Sequence, residues 1–516
     1  MNSPSQKFDV VIIGGGLNGI TAAAYLARRG NSVCVLEKSD RLGGMAQDWC
    51  PAPGILLPRM AHLLPGVHPK ILRELRLGNQ LQLRPLHTTL LALDGRHVQV
   101  SEAGVCFADG SPHDESAAFL ALRRRIARFA GQLAPLALMP PPEFAGLADI
   151  NEAGTLARLG VNIRMMGKKE VREFLRIILS NVYDLTLDEL PDGLLAGCLA
   201  ADAVLGAWAG PRSPGSVFSL MYRYGTGVSP MIPEGGISQF IRVFTDFASS
   251  HGAEFRTASE VTSVMVENDA VTGVVLDGGT QISARAVLSG LSPMATMKLA
   301  GVEHFDTEAV RRIRNVRSKG MTGKLNMVLT SVPKTEGLAD EQFRGRTLLA
   351  PSVQYSETAF NSAKYGEIAS DPVLEIMSPE LTGSADGLSA LSVTAHYVPH
   401  ALKDGWSDES RDKLTETILT ALEKYIPDIR SRILHTETLS PVDIEALTGA
   451  PGGHWHHCEL STDQLLNVRP VNGMSRYAFA LKGFYLCGAS AHPGGNLTCA
   501  PGRNAALQVI RDGILR

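Results

Sequence analysis

The chain has 516 residues, enough for two or three domains with sizeable hydrophobic cores. Its composition of 44% apolar and 20% charged residues is that of an ordinary globular protein, and a formal net charge of −3 argues against a nucleic-acid partner. The seven cysteines are an odd number without a C-x-x-C pair, which excludes a disulfide reductase of that type and fits free, buried thiols in the cytoplasm.

The first predicted elements are a strand, a glycine-rich turn, a helix and a second strand. The apolar residues 9–13 lead into the motif G-x-G-x-x-G at residues 14–19, and an Ala-rich helical stretch ends at Gly30. Residues 32–36 form the next strand, which closes on Glu37. This order of elements within about thirty residues is the fingerprint of a dinucleotide-binding βαβ unit.

Each residue of the motif has a physical role in such a unit. Gly14 allows a sharp turn, Gly16 lets a pyrophosphate approach the backbone, and Gly19 lets the helix pack close to the sheet. The first helical turn, with Leu17 and Asn18, offers N–H groups and a partial positive charge to the phosphates. The sequence therefore predicts that these five residues bind a dinucleotide.

Glu37 lies about twenty residues after the motif, where a carboxylate binds the two ribose hydroxyls of an adenosine and repels a 2′-phosphate. The residues around and after it, Lys38, Arg41, Gly43 and Gly44, complete an E-x-x-x-R-x-G-G sequence. This sequence resembles the extension found in the flavoprotein superfamily of amine oxidases and phytoene desaturases, where the arginine and glycines border the FAD phosphates and the flavin. The resemblance implies FAD rather than NAD.

The next stretch is predicted to be irregular, then helical, then extended. Residues 50–61 contain three prolines, and proline has no N–H group for a regular element. A short helix is predicted at residues 71–77. Residues 81–100 alternate enough to indicate strands, with a hairpin turn at Asp94 and Gly95.

Residues 114–138 predict one helix with an apolar side and a basic side. The basic side carries Arg123, Arg124, Arg125 and Arg128. Two interpretations remain open: a solvated surface helix, or a basic amphipathic helix that rests peripherally on a membrane or covers the mouth of a substrate site.

Two further helices are predicted at residues 168–178 and 187–209. The second is apolar on all sides, which is typical of a buried helix and also suits the wall of a cavity for a lipophilic ligand. Its apolar part is short for a membrane span and contains Asp202, so no transmembrane helix is predicted. Asp202 is either a hydrogen-bonding group in helix packing or a cavity acid with a raised pKa.

The second half of the chain contains two kinds of segment. A helix at residues 238–249 and the strands that begin near residues 261, 271 and 284 resemble the returning part of an FAD domain, in which the backbone of Val261 meets the adenine. Residues 301–450 indicate an α+β domain whose sheet roofs a substrate cavity. The elements predicted there are strands at 325–329, 373–377 and 391–397 and a helix at 409–425.

The end of the chain holds a second glycine-rich cluster. A strand at residues 484–486 runs into Gly488 and Ala489, and a loop with Gly495 and Asn496 precedes a helix of small residues. The N-terminus of that helix, aimed at the pyrimidine edge of a flavin, would stabilise the reduced flavin. Many FAD relatives carry an acid where this chain has Ala489, so backbone amides or a neighbour must replace it, and FAD is expected to bind more weakly than usual.

Three glycine-rich stretches together resemble the phytoene desaturase and retinol saturase group of FAD-dependent oxidoreductases: residues 14–44, 233–236 and 488–506. The similarity is closest to the pyridine nucleotide-disulphide oxidoreductase domain-containing protein 2 subgroup, on the strength of residues 199–206, 451–458 and 486–495. The resemblance implies an α/β fold, with a Rossmann-like FAD-binding domain of the two-dinucleotide-binding flavoprotein type and an inserted α+β substrate domain. The expected FAD-binding domain comprises residues 1–85, 226–300 and 451–516, and the substrate-binding or lid domain comprises residues 86–225 and 301–450.

Histidines near the end of the chain are candidates for acid–base chemistry. His457 and His492 are expected to lie nearest the flavin, where they either fix the surrounding loops by hydrogen bonds or act as general acid or base. His456 and Glu459 are further catalytic candidates. No metal site is predicted, because neighbouring residues of an extended segment point to opposite faces.

The expected activity is that of an FAD-dependent dehydrogenase or desaturase. It moves hydride from a C–H bond of an apolar or ring-containing small molecule to N5 of the flavin, and the electrons pass on to oxygen or a quinone. The resemblance to retinol saturase leaves the reverse reaction open. One alternative is an amine oxidase, which usually has aromatic residues beside the flavin; the aromatic content of 6%, with Trp455 as the obvious candidate, disfavours it. The other is a scaffold protein that keeps FAD for structure only.

Overall fold

The apolar strand at the start of the chain, Gln6–Ile13, lies in the middle of the first of two large sheets, with parallel neighbours on both sides. A computed structural model of the protein describes residues 6–141, 150–225, 230–379, 381 and 387–515. Val10, Val11 and Ile12 are fully buried. Their position explains the unbroken apolar run, because a parallel strand is covered on both faces.

The first sheet has the Rossmann-like arrangement that the sequence predicts. Its strand order is Ala253–Arg256, Val33–Leu36, Gln6–Ile13, Gln281–Ser289, Ala270–Leu276 and Val261–Glu267. The first four are parallel, and Phe484–Leu486 adds a parallel strand beside Gln281–Ser289, whereas the last two form the antiparallel meander. The helices that pack at this sheet and on each other are Leu17–Ala27, Gly236–Ser250 and Ala500–Arg511.

The second sheet is mostly antiparallel and belongs to the other predicted domain. Its strand order is Ile433–Leu439, Thr322–Leu329, Ser389–His396, Val373–Met377, Arg346–Leu349, Thr88–Leu90, Val98–Val100 and Val105–Phe107. The pair Arg346–Leu349 and Thr88–Leu90 is parallel. The strands of each sheet fall within the residue ranges expected for the corresponding domain, and the boundaries themselves stay a prediction.

The remaining described elements connect and flank the two sheets. The α-helices are Pro69–Leu75, Ser116–Leu133, Ile150–Met165, Gly167–Leu179, Val182–Leu187, Leu194–Val204, Ser216–Gly225, Pro293–Ala300, Thr307–Arg314, Asp340–Phe343, Val353–Lys364, Asp408–Glu423, Ile429–Arg432 and Pro441–Thr448. Two ribbons pair Asp48–Ala52 with Ile55–Pro58 and Leu83–Pro85 with Met231–Pro233.

Two sequence predictions are wrong because proline acts differently from what was expected. Residues 50–61 are not irregular throughout, since a two-stranded ribbon ends at Pro58 and tolerates proline where no partner needs its N–H group. The helix predicted at residues 187–209 is shorter, Leu194–Val204, because the preceding helix, Val182–Leu187, ends where it was expected to begin and Pro191 lies between the two. Proline cannot donate the helical hydrogen bond, so the chain breaks there.

The basic helix is shorter than predicted, and its apolar side is buried. The α-helix is Ser116–Leu133, and Pro135 follows in a 3₁₀ turn. Phe119, Leu122 and Ile126 pack into the second hydrophobic core, so this side of the helix is not available to a membrane. Among the helices that the structure describes, none is both long and apolar enough to cross a membrane.

The cysteines are free thiols, as predicted, although their burial is uneven. Cys34, Cys198, Cys458, Cys487 and Cys499 are buried. Cys50 is exposed and Cys106 is partly buried. The expectation of buried thiols therefore holds for five of the seven.

Candidate active site

A large cleft runs from the glycine motif of the first sheet to one face of the second sheet. It encloses about 2300 Å³ of empty space, counting the part that opens to solvent. We call the part beside the glycine motif the nucleotide end. We call the part lined by Thr88, Lys324, Arg346, Glu375 and Thr394, on strands of the second sheet, the sheet end.

Most residues predicted to bind FAD line the nucleotide end. They are Gly14, Gly16, Leu17, Asn18, Gly19, Glu37, Lys38, Gly43, Gly44, Gly488, Ala489, Gly495 and Asn496. Two others lie away from the cleft wall: the side chain of Arg41 is 48% exposed beside Asp40, and Val261 pairs with Leu276 in the meander. The structure thus brings together residues 14–44 and residues 488–496, which are far apart in the sequence.

The glycines of the motif have different spatial surroundings. A Cβ atom on Gly19 would overlap the carbonyl oxygen of Gly14, so this glycine is needed for close packing of helix on strand. A Cβ atom on Gly16 would meet only Gly44, at 4.0 Å from its Cα atom. Gly16 also precedes the helix without a side-chain cap, so the cleft there is open to a phosphate.

Glu37 is buried and held in place by hydrogen bonds from the backbone. Its Oε2 atom accepts from the N–H group of Gly15 at 2.7 Å, and Oε1 accepts from the N–H and the hydroxyl of Ser39, both at 2.9 Å. Two carboxylate oxygens have about four acceptor sites. With three of them used, about one remains for a ribose hydroxyl, the group that the sequence assigns to this residue.

Arg469 ties the C-terminal loops together beneath the cleft. Its guanidinium is fully buried and donates to the carbonyl of Ala489 at 2.7 Å. It also donates to four more carbonyls, those of His456, Cys458, Glu459 and Gln464. These contacts make Arg469 an anchor for the loops.

His456 and His457 line the cleft, and both rings are neutral at pH 7. Burial lowers the pKa of His457 to about 4 and holds the pKa of His456 well below its usual range. In the described structure neither ring nitrogen of His456, nor Nδ1 of His457, nor Oδ1 of Asn18 has a hydrogen-bond partner. The nitrogens of His456 face Gly206 and Gly495. Because buried polar atoms are nearly always paired, the atoms of Asn18 and His457 indicate a polar ligand in the cleft.

His492 and Glu459 lie outside the cleft lining and hold neighbouring segments. His492 donates from Nε2 to the carbonyl of Leu136 at 2.7 Å, so its Nδ1 atom accepts from the hydroxyl of Tyr222 at 3.2 Å. Glu459 is buried and accepts from Nε of Arg317 at 3.2 Å. For His492, these contacts favour the loop-fixing interpretation over the acid–base one.

A chain of charged side chains lines the sheet end, and the sequence analysis missed all of it except Asp202. Arg346 donates to Asp202 at 2.7 Å and to Glu375 at 2.6 Å. His62 links the other oxygen of Glu375, at 3.0 Å, to the amine of Lys324, at 2.8 Å. The sequence feature that could have indicated these residues is a single charged residue in an otherwise apolar strand, such as Glu375 in Val373–Met377.

The sheet end contains both neutral and charged groups at pH 7. Burial lowers the pKa of Lys324 to about 7, although the charge of Glu375 opposes this effect. Burial likewise lowers the pKa of His62 to about 4. Across the described residues, no group of three or more potential ligands is arranged for a metal ion.

Changing Gly16 to Ala is expected to lower FAD affinity about tenfold or more while changing stability by less than about 0.5 kcal/mol. Gly16 has a φ of −71°, which alanine adopts freely, and its Cβ atom would occupy only cleft space. Titration of the apoprotein with FAD, followed by flavin fluorescence, measures the loss. Gly78→Ala, at an exposed position with open space around it, is the control, and equal affinities would contradict the assignment.

The features of the nucleotide end suit FAD: an uncapped helix terminus, a glycine with room beside it, and unpaired buried atoms of Asn18 and His457. These residues would hold its pyrophosphate and the groups nearby, and Glu37 would hold its ribose. The fit rests on the chemistry of the donors and acceptors present.

Comparisons with known proteins agree with this fit. The family described as flavin containing amine oxidoreductase matches residues 17–505. The pyridine nucleotide-disulfide oxidoreductase domain-containing protein 2 of Rattus norvegicus is 29% identical, over 98% of this chain and 94% of its own. The zeta-carotene-forming phytoene desaturase of Myxococcus xanthus is 24% identical, over 96% of this chain and 92% of its own.

A solved structure shows the same fold. The cyclohexylamine oxidase from Brevibacterium oxydans IH-35A superimposes with a TM-score of 0.58 at 14% identity, covering 99% of each chain. The resemblance drawn from the sequence is thereby confirmed, as is the predicted fold class. The chain belongs to the flavin-containing amine oxidoreductase family, and its cofactor is FAD.

Proposed function

We propose that the protein is a dehydrogenase or desaturase that oxidises a C–H bond of a small molecule bound at the sheet end of the cleft. The observation that carries the proposal is the continuity of the cleft, which joins the glycine motif to the strands of the second sheet. When bound, FAD supplies the acceptor for two electrons. The residues of the chain hold the substrate against it.

The cleft walls suit a substrate that is partly apolar. Leu199 and Leu205, from the apolar helix and the residue after it, line the same space as Phe119 and Leu86. Burial of a ring or chain against these residues stabilises binding at roughly 25 cal/mol for each Å² removed from water. The likeness to a phytoene desaturase supports this substrate class.

We further propose oxygen or a quinone as the final electron acceptor and the cytoplasm as the location. The sequence contains a single dinucleotide fingerprint, at residues 14–19, which leaves no second nucleotide fold for NAD(P)H. Arg123 of the basic helix lines the cleft, which supports the role of this helix as a cover of the substrate site.

Amine oxidation is the second candidate, favoured by a specific observation. Sequence analysis disfavoured it for lack of aromatic residues near the flavin, but Trp455, Tyr224 and Phe119 all line the cleft. Aromatic walls bind the apolar body of an amine and attract a cationic one. The family description also includes amine oxidoreductases.

An absorption spectrum of the purified protein tests the proposal directly. We expect oxidised-flavin bands that lose intensity when one class of compound is added without oxygen. Matched sets with one carbon skeleton, as hydrocarbon, alcohol and amine, identify the class, and dithionite shows that the flavin can be reduced. A protein that binds no flavin after incubation with FAD would overturn the proposal, and bleaching by amines alone would select the second candidate.

A further inference from the structure

The charged side chains at the sheet end are joined to one another by hydrogen bonds. Lys324, Glu375, Arg346 and His62 are each at least 92% buried. All four line the cleft, together with the half-buried Asp202. Burial of charged groups costs free energy unless they are paired. A buried donor or acceptor without a partner in the protein therefore indicates where a ligand binds.

The proton positions in this chain follow from the contacts. The carboxylate of Glu375 only accepts, so Nε2 of His62 carries the proton that bridges them, and Nδ1 of the neutral ring accepts from Lys324. The carbonyl of Ser392 lies 3.0 Å from the same Nδ1 atom and can accept its proton when the ring becomes charged. Glu375 and Ser392 thus fix the ring of His62 beside the amine of Lys324.

The amine of Lys324 keeps one position for a group in the cleft. Nζ contacts Nδ1 of His62 at 2.8 Å and the hydroxyl of Thr394 at 3.0 Å. A charged amine has three N–H donors. A neutral amine has two N–H donors and one lone pair that accepts a proton or a hydrogen bond. With a pKa of about 7, lowered by burial, Lys324 is available as a proton acceptor at neutral pH.

We infer that the sheet end binds a substrate whose reacting carbon carries a hydroxyl group, and that Lys324 holds this hydroxyl and takes its proton. The inference rests on the proposed function and names its substrate class. The O–H bond breaks and its proton goes to Nζ. The C–H bond breaks with its electron pair going to the oxidised flavin, and a C=O bond forms. The ammonium of Lys324 then passes its proton to solvent.

The surrounding charges favour a hydroxyl over the other two substrate classes. A plain hydrocarbon would leave the free position of Lys324 unpaired in a buried site, which weakens binding roughly tenfold or more. Carboxylates line this space as well, but those of Asp202 and Glu375 are already paired with Arg346. A substrate ammonium would compete with Arg346 for them, with Arg123 and Arg223 in the same wall. A neutral hydroxyl avoids both penalties.

The first experiment measures the pKa of Lys324 without any substrate. The FAD-loaded protein is labelled with ¹³C at Cε of lysine, titrated by NMR from pH 5 to 11, and compared with Lys324→Met to assign the resonance. We expect one lysine to titrate near pH 7, well below the ordinary value of about 10.4. Titration of Lys324 near the ordinary value would overturn the inference, whether or not the flavin reacts.

A second variant keeps this test decisive if Lys324→Met does not fold. Glu375→Gln removes a negative charge that raises the pKa of Lys324, with His62 between the two side chains. The other charged or titratable groups that act on Glu375 are Arg346 and His396. We expect the resonance to titrate roughly one pH unit lower. An unchanged pKa would show that the charge of Glu375 does not affect Lys324, which would overturn the inference.

The substrate class is tested by binding two probes of similar size, cyclohexanol and methylcyclohexane, followed by the change in flavin absorption. We expect Lys324→Met to shift the ratio of the two dissociation constants roughly tenfold towards the hydrocarbon. The control is Lys319→Met, because Lys319 lies outside the cleft beside Trp208. An unchanged ratio in Lys324→Met would overturn the hydroxyl assignment, even in a protein that binds FAD normally.

Discussion

Replacing Arg469 by methionine is expected to destabilise the protein by at least about 4 kcal/mol. The guanidinium is fully buried and donates to five backbone carbonyls, so the variant leaves several buried acceptors without a donor. Methionine fills a similar volume, so the effect reports on hydrogen bonding rather than on a cavity. Urea unfolding followed by circular dichroism measures it.

Two further variants sharpen this prediction. Arg469→Lys is expected to recover only part of the stability, because one ammonium has three donors and no planar fork to reach five carbonyls. Arg314→Met, at an exposed helix end, should change stability by less than about 0.5 kcal/mol. A loss below about 1 kcal/mol in Arg469→Met would show that the loops hold their positions without the arginine.

The position of Arg469 also links this loss to FAD. Its contacts connect the backbone of His456 with that of Ala489, and both residues line the cleft. The guanidinium therefore fixes the backbone at Ala489. We expect Arg469→Met to release FAD at urea concentrations below those that unfold the rest of the chain.

Acidification from pH 6.5 to pH 4 is expected to unfold the protein. Burial lowers the pKa values of His62, His396 and His492 to about 4 and that of His454 to about 3. The unfolded chain binds protons at these sites below its ordinary pKa of about 6.5, and the folded chain does not. Stability is therefore complete above pH 6.5 and is lost as the pH falls towards 4.

The loss of stability is about 1.4 kcal/mol for each unit by which the pKa of a histidine in the folded protein lies below its pKa in the unfolded chain. One such histidine changes stability by roughly 3 kcal/mol, and four together approach the whole free energy of folding of a typical domain, about 5–15 kcal/mol. Calorimetry at several pH values measures the melting temperature. His454→Gln should flatten its pH dependence, whereas His251→Gln, at an exposed position, should not.

The nucleotide end of the cleft could be predicted because its determinants are local in sequence. Gly14, Gly16 and Gly19 lie within one turn, and Glu37 follows at a distance fixed by one helix and one strand. The meander and the last strand were recognisable from their turns. In each case backbone conformation dictates the residue type, so the residue type reveals the conformation.

The sheet end could not be predicted because its residues meet only through the register of distant strands. His62 and Glu375 are 313 positions apart, and Lys324 faces them because its strand pairs with Ser389–His396. A lone charge in an apolar strand is equally compatible with an edge, a bulge or a buried pair. The same limit explains His492, whose neighbours in sequence suggested chemistry and whose neighbours in space are Tyr222 and Leu136.

The strand Phe484–Leu486 and the helix Ala500–Arg511 complete a sheet whose first strand is Gln6–Ile13. On a translating ribosome, the strands of the second sheet, which end at Leu439, emerge before that completion is possible. The cofactor pocket must therefore close after nearly all of the polypeptide has been synthesised. Until then the cleft lacks the wall formed by Gly488, Ala489, Gly495 and Asn496, and we expect FAD to bind late in the maturation of the protein.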